Sequence, residues 1–261
     1  MEQDDVFVEA FLDACFDGEL SKVQEAIASG LLTVENLDEG LSLATDSAHP
    51  DIVAALFTAG ARITDYTVDF LTGSNGKQHP SVVRHFLDNG LDANGSFSNG
   101  EPLIGLISDP ACVRELLSRG ADPNRCGPRG VSPLVRTIVS SRGENISCLE
   151  LLLAHGAQLK SSLLFSAVGS RVPQGEPVTK FLLDKGLDPN TTDAKWGTPL
   201  HLAIHSCKPN IVKLLLDAGA DPAGVSNGTE FPGETPLQVA ESVEDTDLRK
   251  RLLGILRSRT A

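Results

Sequence analysis

The sequence predicts an all-α fold, a solenoid of helix pairs stacked in a row, on three observations. First, a Gly-Ala or Gly-Leu pair closes a leucine-rich run at Gly60, Gly90, Gly120, Gly156, Gly186 and Gly219, and Gly30 precedes Leu31 after a weaker run. The steps between these glycines are 30, 30, 30, 36, 30 and 33 residues, a period typical of stacked-repeat architectures. Second, the apolar residues within the runs recur at helical spacing. Third, aromatic content is 5 % with a single Trp, which suits a core of Leu, Val, Ile and Ala. In such a stack most repeated residues serve packing, so function is sought where the copies differ.

The elements follow in chain order. Residues 4–30 fit an opening helix pair. The copies ending at Gly60 and Gly90 are recognisable mainly by their second helices, 51–58 and 81–88. The next copy runs from Glu101-Pro102-Leu103 to Gly120-Ala121-Asp122-Pro123-Asn124, with a short inner turn at Asp109-Pro110. Another runs from Gly130 through Ser132-Pro133-Leu134 to Gly156-Ala157, with about three extra residues in its inner turn at 140–145. A further copy holds Gly186-Leu187-Asp188-Pro189-Asn190. The sharpest spans 193–224, with Thr198-Pro199-Leu200-His201-Leu202-Ala203 and then Ile211 to Asp217, Gly219 and Asp221-Pro222. Thr198 suits a helix N-cap and Pro199 the first helical position, where a missing N–H does no harm. Gly219 supplies the left-handed residue past the helix end. Thr235-Pro236-Leu237 opens a closing pair that ends near Arg257.

Residues 198–203 resemble the ankyrin repeat, whose signature is Thr-Pro-Leu-His-x-Ala. The resemblance implies an ankyrin-repeat solenoid of about eight helix-turn-helix repeats joined by short loops or hairpins. It implies one domain over 1–261, with an opening cap at 4–34, repeats at 35–64, 65–94, 95–128, 129–160, 161–192 and 193–228, and a closing cap at 229–258. It also implies a non-enzymatic protein-binding module, whether adaptor, scaffold or inhibitor, that meets its partner through inter-repeat loops and the ends of the first helices. Carried over position by position, the partner-binding candidates are Lys195, Trp196, His205 and Ser206 in the best copy and Phe231 and Glu234 in the closing one. Arg129, Val131 and Val139 follow around Pro133, and Phe97, Asn99 and Asp109 around Pro102. Trp196 and Phe231 stand one repeat apart in equivalent loops, either as adjacent aromatic platforms or, for Trp196, as a packing lid. His201 is expected to make structural hydrogen bonds.

Composition bounds the partners. Residues 1–50 hold twelve Asp and Glu against one base, Lys22, and so carry −11 of the formal −13. A polyphosphate would meet a strongly negative surface, so no nucleic-acid partner is expected. The acidic segment fits either a solvated cap or a docking surface for a basic partner. No apolar stretch approaches the ~18 residues of a membrane span, and the acidic N-terminus is unlike a secretory signal. An intracellular chain, cytoplasmic or nuclear, is the expectation. Five scattered cysteines without a CxxC read as free thiols, with Cys15 packed on an apolar helix face. No metal or cofactor is expected. Gly224-Val225-Ser226-Asn227-Gly228 matches a nucleophile elbow in letters, but it follows an Asp-Pro turn where that motif needs a strand. A second reading makes the groove a small-molecule site, even an acid–base enzyme of the cyclase or dehydratase kind. Its candidates are His205, Asp46, His49, Asp65 and Tyr66.

Overall fold

The computed structural model describes residues 2–140, 145–169 and 175–260. The described residues form sixteen α-helices in eight pairs, with no strand beyond isolated bridges at Ser96–Pro102 and Asp193–Gly197. The inner turn at 140–145, read as carrying extra residues, lies largely outside the described residues. The chain forms two compact units, residues 1–136 with 142–157 and residues 137–141 with 158–261.

The first unit holds α1 (Glu2–Asp17), α2 (Leu20–Ala28), α3 (Val34–Asp46), α4 (Pro50–Ala59) and α5 (Asp65–Asp69), the last continued by a 3-10 turn at Phe70–Thr72. Next come α6 (Pro80–Asp88), α7 (Leu103–Leu106) and α8 (Pro110–Ser118), then the start of α9 (Pro133–Val139) and α10 (Asn145–Ala154). First helices meet first helices (α1, α3, α5) and second helices meet second helices (α2, α4, α6, α8, α10). The second unit repeats the scheme. Its first helices are α11 (Ser162–Gly169), α13 (Pro199–His205) and α15 (Pro236–Glu241), stacked in that order. Its second helices α12 (Gly175–Asp184), α14 (Pro209–Asp217) and α16 (Thr246–Thr260) stack likewise.

Local chemistry explains each start and stop. Four first helices begin with a capping box, in which Thr33 pairs with Asn36, Thr64 with Thr67, Thr198 with His201 and Thr235 with Gln238. Each box ties together the N-cap and N3 groups that a helix start leaves without intrahelical partners. Second helices α4, α6, α8 and α14 open on a proline, preorganised for the first helical position. All seven repeat glycines have positive φ, from 69° at Gly30 to 102° at Gly60 and Gly90, which is the left-handed turn that ends a helix. The core of the second unit is Leu200, Ala203, Ile204, Val212, Leu215, Ala240 and Leu252, all fully buried. Each buried leucine contributes about 1.5–3 kcal/mol. Ala203 is small enough to let neighbouring first helices approach closely.

Neighbouring repeats are also stapled by hydrogen bonds. Asn94 Nδ2 donates to the Gly120 carbonyl and Asn94 Oδ1 accepts from Asp122 N–H, at 3.0 and 2.8 Å. Asn190 repeats this on Gly219 and Asp221, at 2.9 and 2.7 Å. Cys15 is buried in the opening pair, which pushes its thiol up to about 12. His155 closes α10 by donating from Nδ1 to the Leu151 carbonyl, 2.9 Å away.

Candidate functional site

The second unit brings Trp196, His205 and Phe231 together at one place, and backbone bonding explains why. Residues 193–197 form a tight hairpin, with Asp193 N–H on Gly197 O at 2.7 Å and Gly197 N–H on Asp193 O at 3.0 Å. Asp193 Oδ1 accepts from the N–H groups of Lys195 and Trp196 and so fixes the tip. The following loop lies directly against this hairpin. Thr229 N–H donates to Ala194 O at 3.0 Å and Glu230 N–H to Lys195 O at 2.9 Å. Gly228 makes the approach possible, because a Cβ there would stand 2.2 Å from Gly197 N. The two loops therefore present Trp196 and Phe231 side by side, ring centroids 6.3 Å apart. His205, at the end of α13, completes the group at 5.5 Å from Trp196 and 5.3 Å from Phe231.

The three rings play different parts. Phe231 is only 8 % exposed, belongs to the buried core and stacks on His201 at 6.4 Å. Trp196 is half-buried and packs on that core. His205 is exposed. Lys195 lies over the Trp196 ring, Nζ 4.5 Å from its centroid, and 3.7 Å from Glu230. Trp196, His205 and Ser206 line a groove of about 600 Å³ with Val139, Phe165, Leu202 and Lys208. Val139 is 44 % exposed there, although it is a large apolar residue. Lys208 Nζ donates to the Val168 carbonyl at 2.7 Å, and burial pulls its ammonium below the ordinary lysine value.

Below the groove, His201 is fully buried. Its Nδ1 accepts from Thr198 Oγ1 at 2.7 Å, so Nε2 carries the proton and donates to the Glu234 carbonyl at 3.1 Å. Desolvation holds the imidazole below its ordinary pKa, which keeps it neutral for this pair of bonds. Glu234 thus enters through its carbonyl, which also accepts from Ser226 N–H. Ser226, the serine of the elbow-like letters, is buried in this loop with its Oγ on Gly228 N–H at 3.1 Å.

Candidates in the first unit are not gathered in the same way. Phe97 is 6 % exposed and turned inward. Asn99 and Arg129 line a small cavity of about 220 Å³ with Glu101 and Arg136. Asn99 Oδ1 accepts from Glu101 N–H. Val131 is half-buried, and its carbonyl accepts from Gly127 N–H. Asp109 stands apart from them as the cap of α8, accepting from Ala111 and Cys112 N–H at 2.9 Å each. Asp46 is buried with both oxygens on Ser74, at 2.5 and 2.6 Å. His49 Nε2 donates to the Phe16 carbonyl at 2.9 Å. Asp65 is exposed in the first turn of α5, and Tyr66, 64 % exposed, rests edge-on against Phe70. Asp46 and His49 are thus engaged in hydrogen bonds to neighbouring repeats of the first unit, while His205 belongs to the second unit. One pairing had no local signal in the sequence: Glu101 and Arg136, 35 residues apart, form a largely buried ion pair.

Among the described residues, no group of His, Cys, Asp and Glu could hold a metal ion, and no helix is long and apolar enough to cross a membrane.

With this geometry in view, the comparisons define the class. Residues 164–256 match the family model for ankyrin repeats, in three copies. The chain is 32 % identical over 183 residues to ankyrin repeat and SOCS box protein 16 of Mus musculus, a match covering 64 % of this chain and 39 % of that protein. The first curated relatives are matched over only 30–52 % of their own length. The fold is that of the human ASB11 ankyrin repeat domain, with TM-score 0.55 at 20 % identity over 94 % of this chain and 96 % of that one. An ankyrin repeat domain from Acinetobacter baumannii gives TM-score 0.59 at 22 % identity, covering 76 % of this chain and all of that one. Residues 164–256 are ankyrin repeats, and the fold is that of ankyrin repeat domains.

Proposed function

We propose that this chain binds a protein partner through the groove of its second unit, acting as an adaptor, scaffold or inhibitor. Ankyrin repeats in general are protein–protein interaction modules. The observation that carries the reading here is the aromatic wall. Trp196 and His205 face a groove of about 600 Å³ floored by Phe165 and Leu202, with Val139 exposed at its edge. Aromatic residues in a partly desolvated, well-supported pocket are the usual carriers of binding energy. Their support is rigid, because two hydrogen-bonded loops hold the Trp196 hairpin, so little ordering cost falls on association. The partner would insert an apolar side chain beside Trp196, with Lys195 and Ser206 at the polar margin.

Trp196 is the only tryptophan in the sequence, so its fluorescence reports the groove alone. Peptides selected by display against the whole protein are expected to shift this emission. Their affinity should fall by about tenfold or more in His205→Ala and Val139→Asp, with melting temperature nearly unchanged. Trp196→Ala should do the same; a large loss of stability in that variant instead would make the ring a lid over Phe231. Selected peptides indifferent to all three substitutions would refute the reading.

A further inference from the structure

The first unit holds a second concavity of different chemistry. A basin of about 1130 Å³ lies where the inner turns leading into α4, α6 and α8 come together. Three stacked helices, of ten, nine and nine residues, start at its wall, and each brings the positive end of its dipole. The wall is built. Asp46 fixes Ser74 from one repeat away, and Gln78 Oε1 accepts from Ser108 and Asp109 N–H at 3.0 and 2.9 Å. His79 Nδ1 accepts from Ser81 N–H, which leaves Nε2 carrying the proton.

Two cations line this basin without a carboxylate. In this acid-rich chain Lys22, Arg62, Arg84, Arg119 and Arg136 each hold a carboxylate. Lys77 and Arg114 line the basin, are exposed, and hold none among the described residues. Asp109 is the one acid in the lining, and it is engaged on the start of α8. The remaining lining includes the polar side chains of Ser47, Ser74, Asn75, Gln78 and Ser108, with Ala48, Pro110 and Ala111 as its apolar residues.

We propose that this basin binds an extended acidic peptide segment, with two carboxylates meeting Lys77 and Arg114 and the peptide backbone hydrogen-bonded by the polar wall. Two cations suit two separate carboxylates. The net charge of −13 opposes any polyanion, and it opposes a strand with a charge on every residue more than a peptide segment with two carboxylates.

The test uses the whole protein and a fluorescein-labelled peptide alternating Glu with Ser, read by anisotropy. Its Gln counterpart and an oligothymidylate serve as competitors. Saturable binding of the Glu peptide is expected, weakening as salt rises. The double variant Lys77→Gln/Arg114→Gln should weaken it by about tenfold, because both side chains are exposed and their loss leaves the fold intact. The charge-matched pair Lys213→Gln/Lys250→Gln in the second unit should not, and Trp196→Ala should leave this binding unchanged, which separates the basin from the groove. The proposal is overturned by absent binding, by undiminished binding in the double variant, by equal binding of the Gln peptide, or by displacement by the oligonucleotide at lower concentration than the acidic peptide.

Discussion

Each unit ties one repeat to the next from the start of a first helix, with different chemistry and from positions three residues apart. In the second unit, Thr198-Pro199-Leu200 opens α13, and neutral His201 carries a hydrogen bond to the Glu234 carbonyl 33 residues on. In the first unit, Glu101-Pro102-Leu103 opens α7, and Glu101 takes an ion pair from Arg136, 35 residues on. The histidine version satisfies both ring nitrogens. The ionic version leaves Glu101 Oε2 and Arg136 Nε buried without a partner, and Gly127 is pressed so close that a Cβ there would stand 2.0 Å from Oε2. What the two share is a bond reaching one repeat ahead from the start of a first helix. The residue types that make it are replaceable.

Substitutions can break this comparison. The largest effect is expected from Arg136→Met, which leaves the buried Glu101 carboxylate without its cation and should cost about 3–5 kcal/mol. Adding Glu101→Gln should restore much of that, since a charge left alone costs more than a neutral pair; equal losses in the single and double variants would remove the ionic account. His201→Ala should cost about 2–3 kcal/mol by orphaning the Glu234 carbonyl and opening a cavity, read as Trp196 fluorescence during urea unfolding. His201 also predicts a pH dependence. Burial holds its native pKa below the ordinary 6.5, so below that value the unfolded chain binds a proton that the native state does not. Stability is then complete above the ordinary value and falls as pH drops toward the depressed native one. His201→Gln should remove this slope.

Smaller effects sharpen the picture. Thr64→Ala in the first unit and Thr235→Ala in the second each remove a cap and should cost about 1 kcal/mol, a parity that would show the caps to be equivalent despite their different N3 partners. Ala48 and Cys207, each two residues before a helix-opening proline, have φ of 61° and 55°. Glycine relieves that strain, so Ala48→Gly and Cys207→Gly should each gain about 0.5 kcal/mol, measured as the midpoint of thermal unfolding.

Much of this was legible in the letters. The glycine period was readable because the left-handed turn after each second helix demands one residue type, and Thr198-Pro199-Leu200-His201 was readable because every letter has a local job. The caps at Thr33 and Thr64 were less so, because Asn36 and Thr67 do the work of His201 without resembling it. Glu101–Arg136 and Asp46–Ser74 were hidden for a different reason: their partners lie a full repeat away, and nothing local announces them. At the groove, one period of separation was enough to place Trp196 near Phe231. The inward turn of Phe231 and Phe97 was not readable, because irregular hairpins lack the fixed face of a helix.

The staples within each unit have one more consequence. Asn94 and Asn190 reach donors and acceptors about one period further along, and so does His201. A copied stretch carries such a joint only where it brings its own donor: 193–224 holds His201 but has Ala223 where the preceding copy has Asn190. Gain or loss of a whole copy keeps donors and acceptors one period apart, while an insertion of half a copy would leave each of these bonds reaching for nothing.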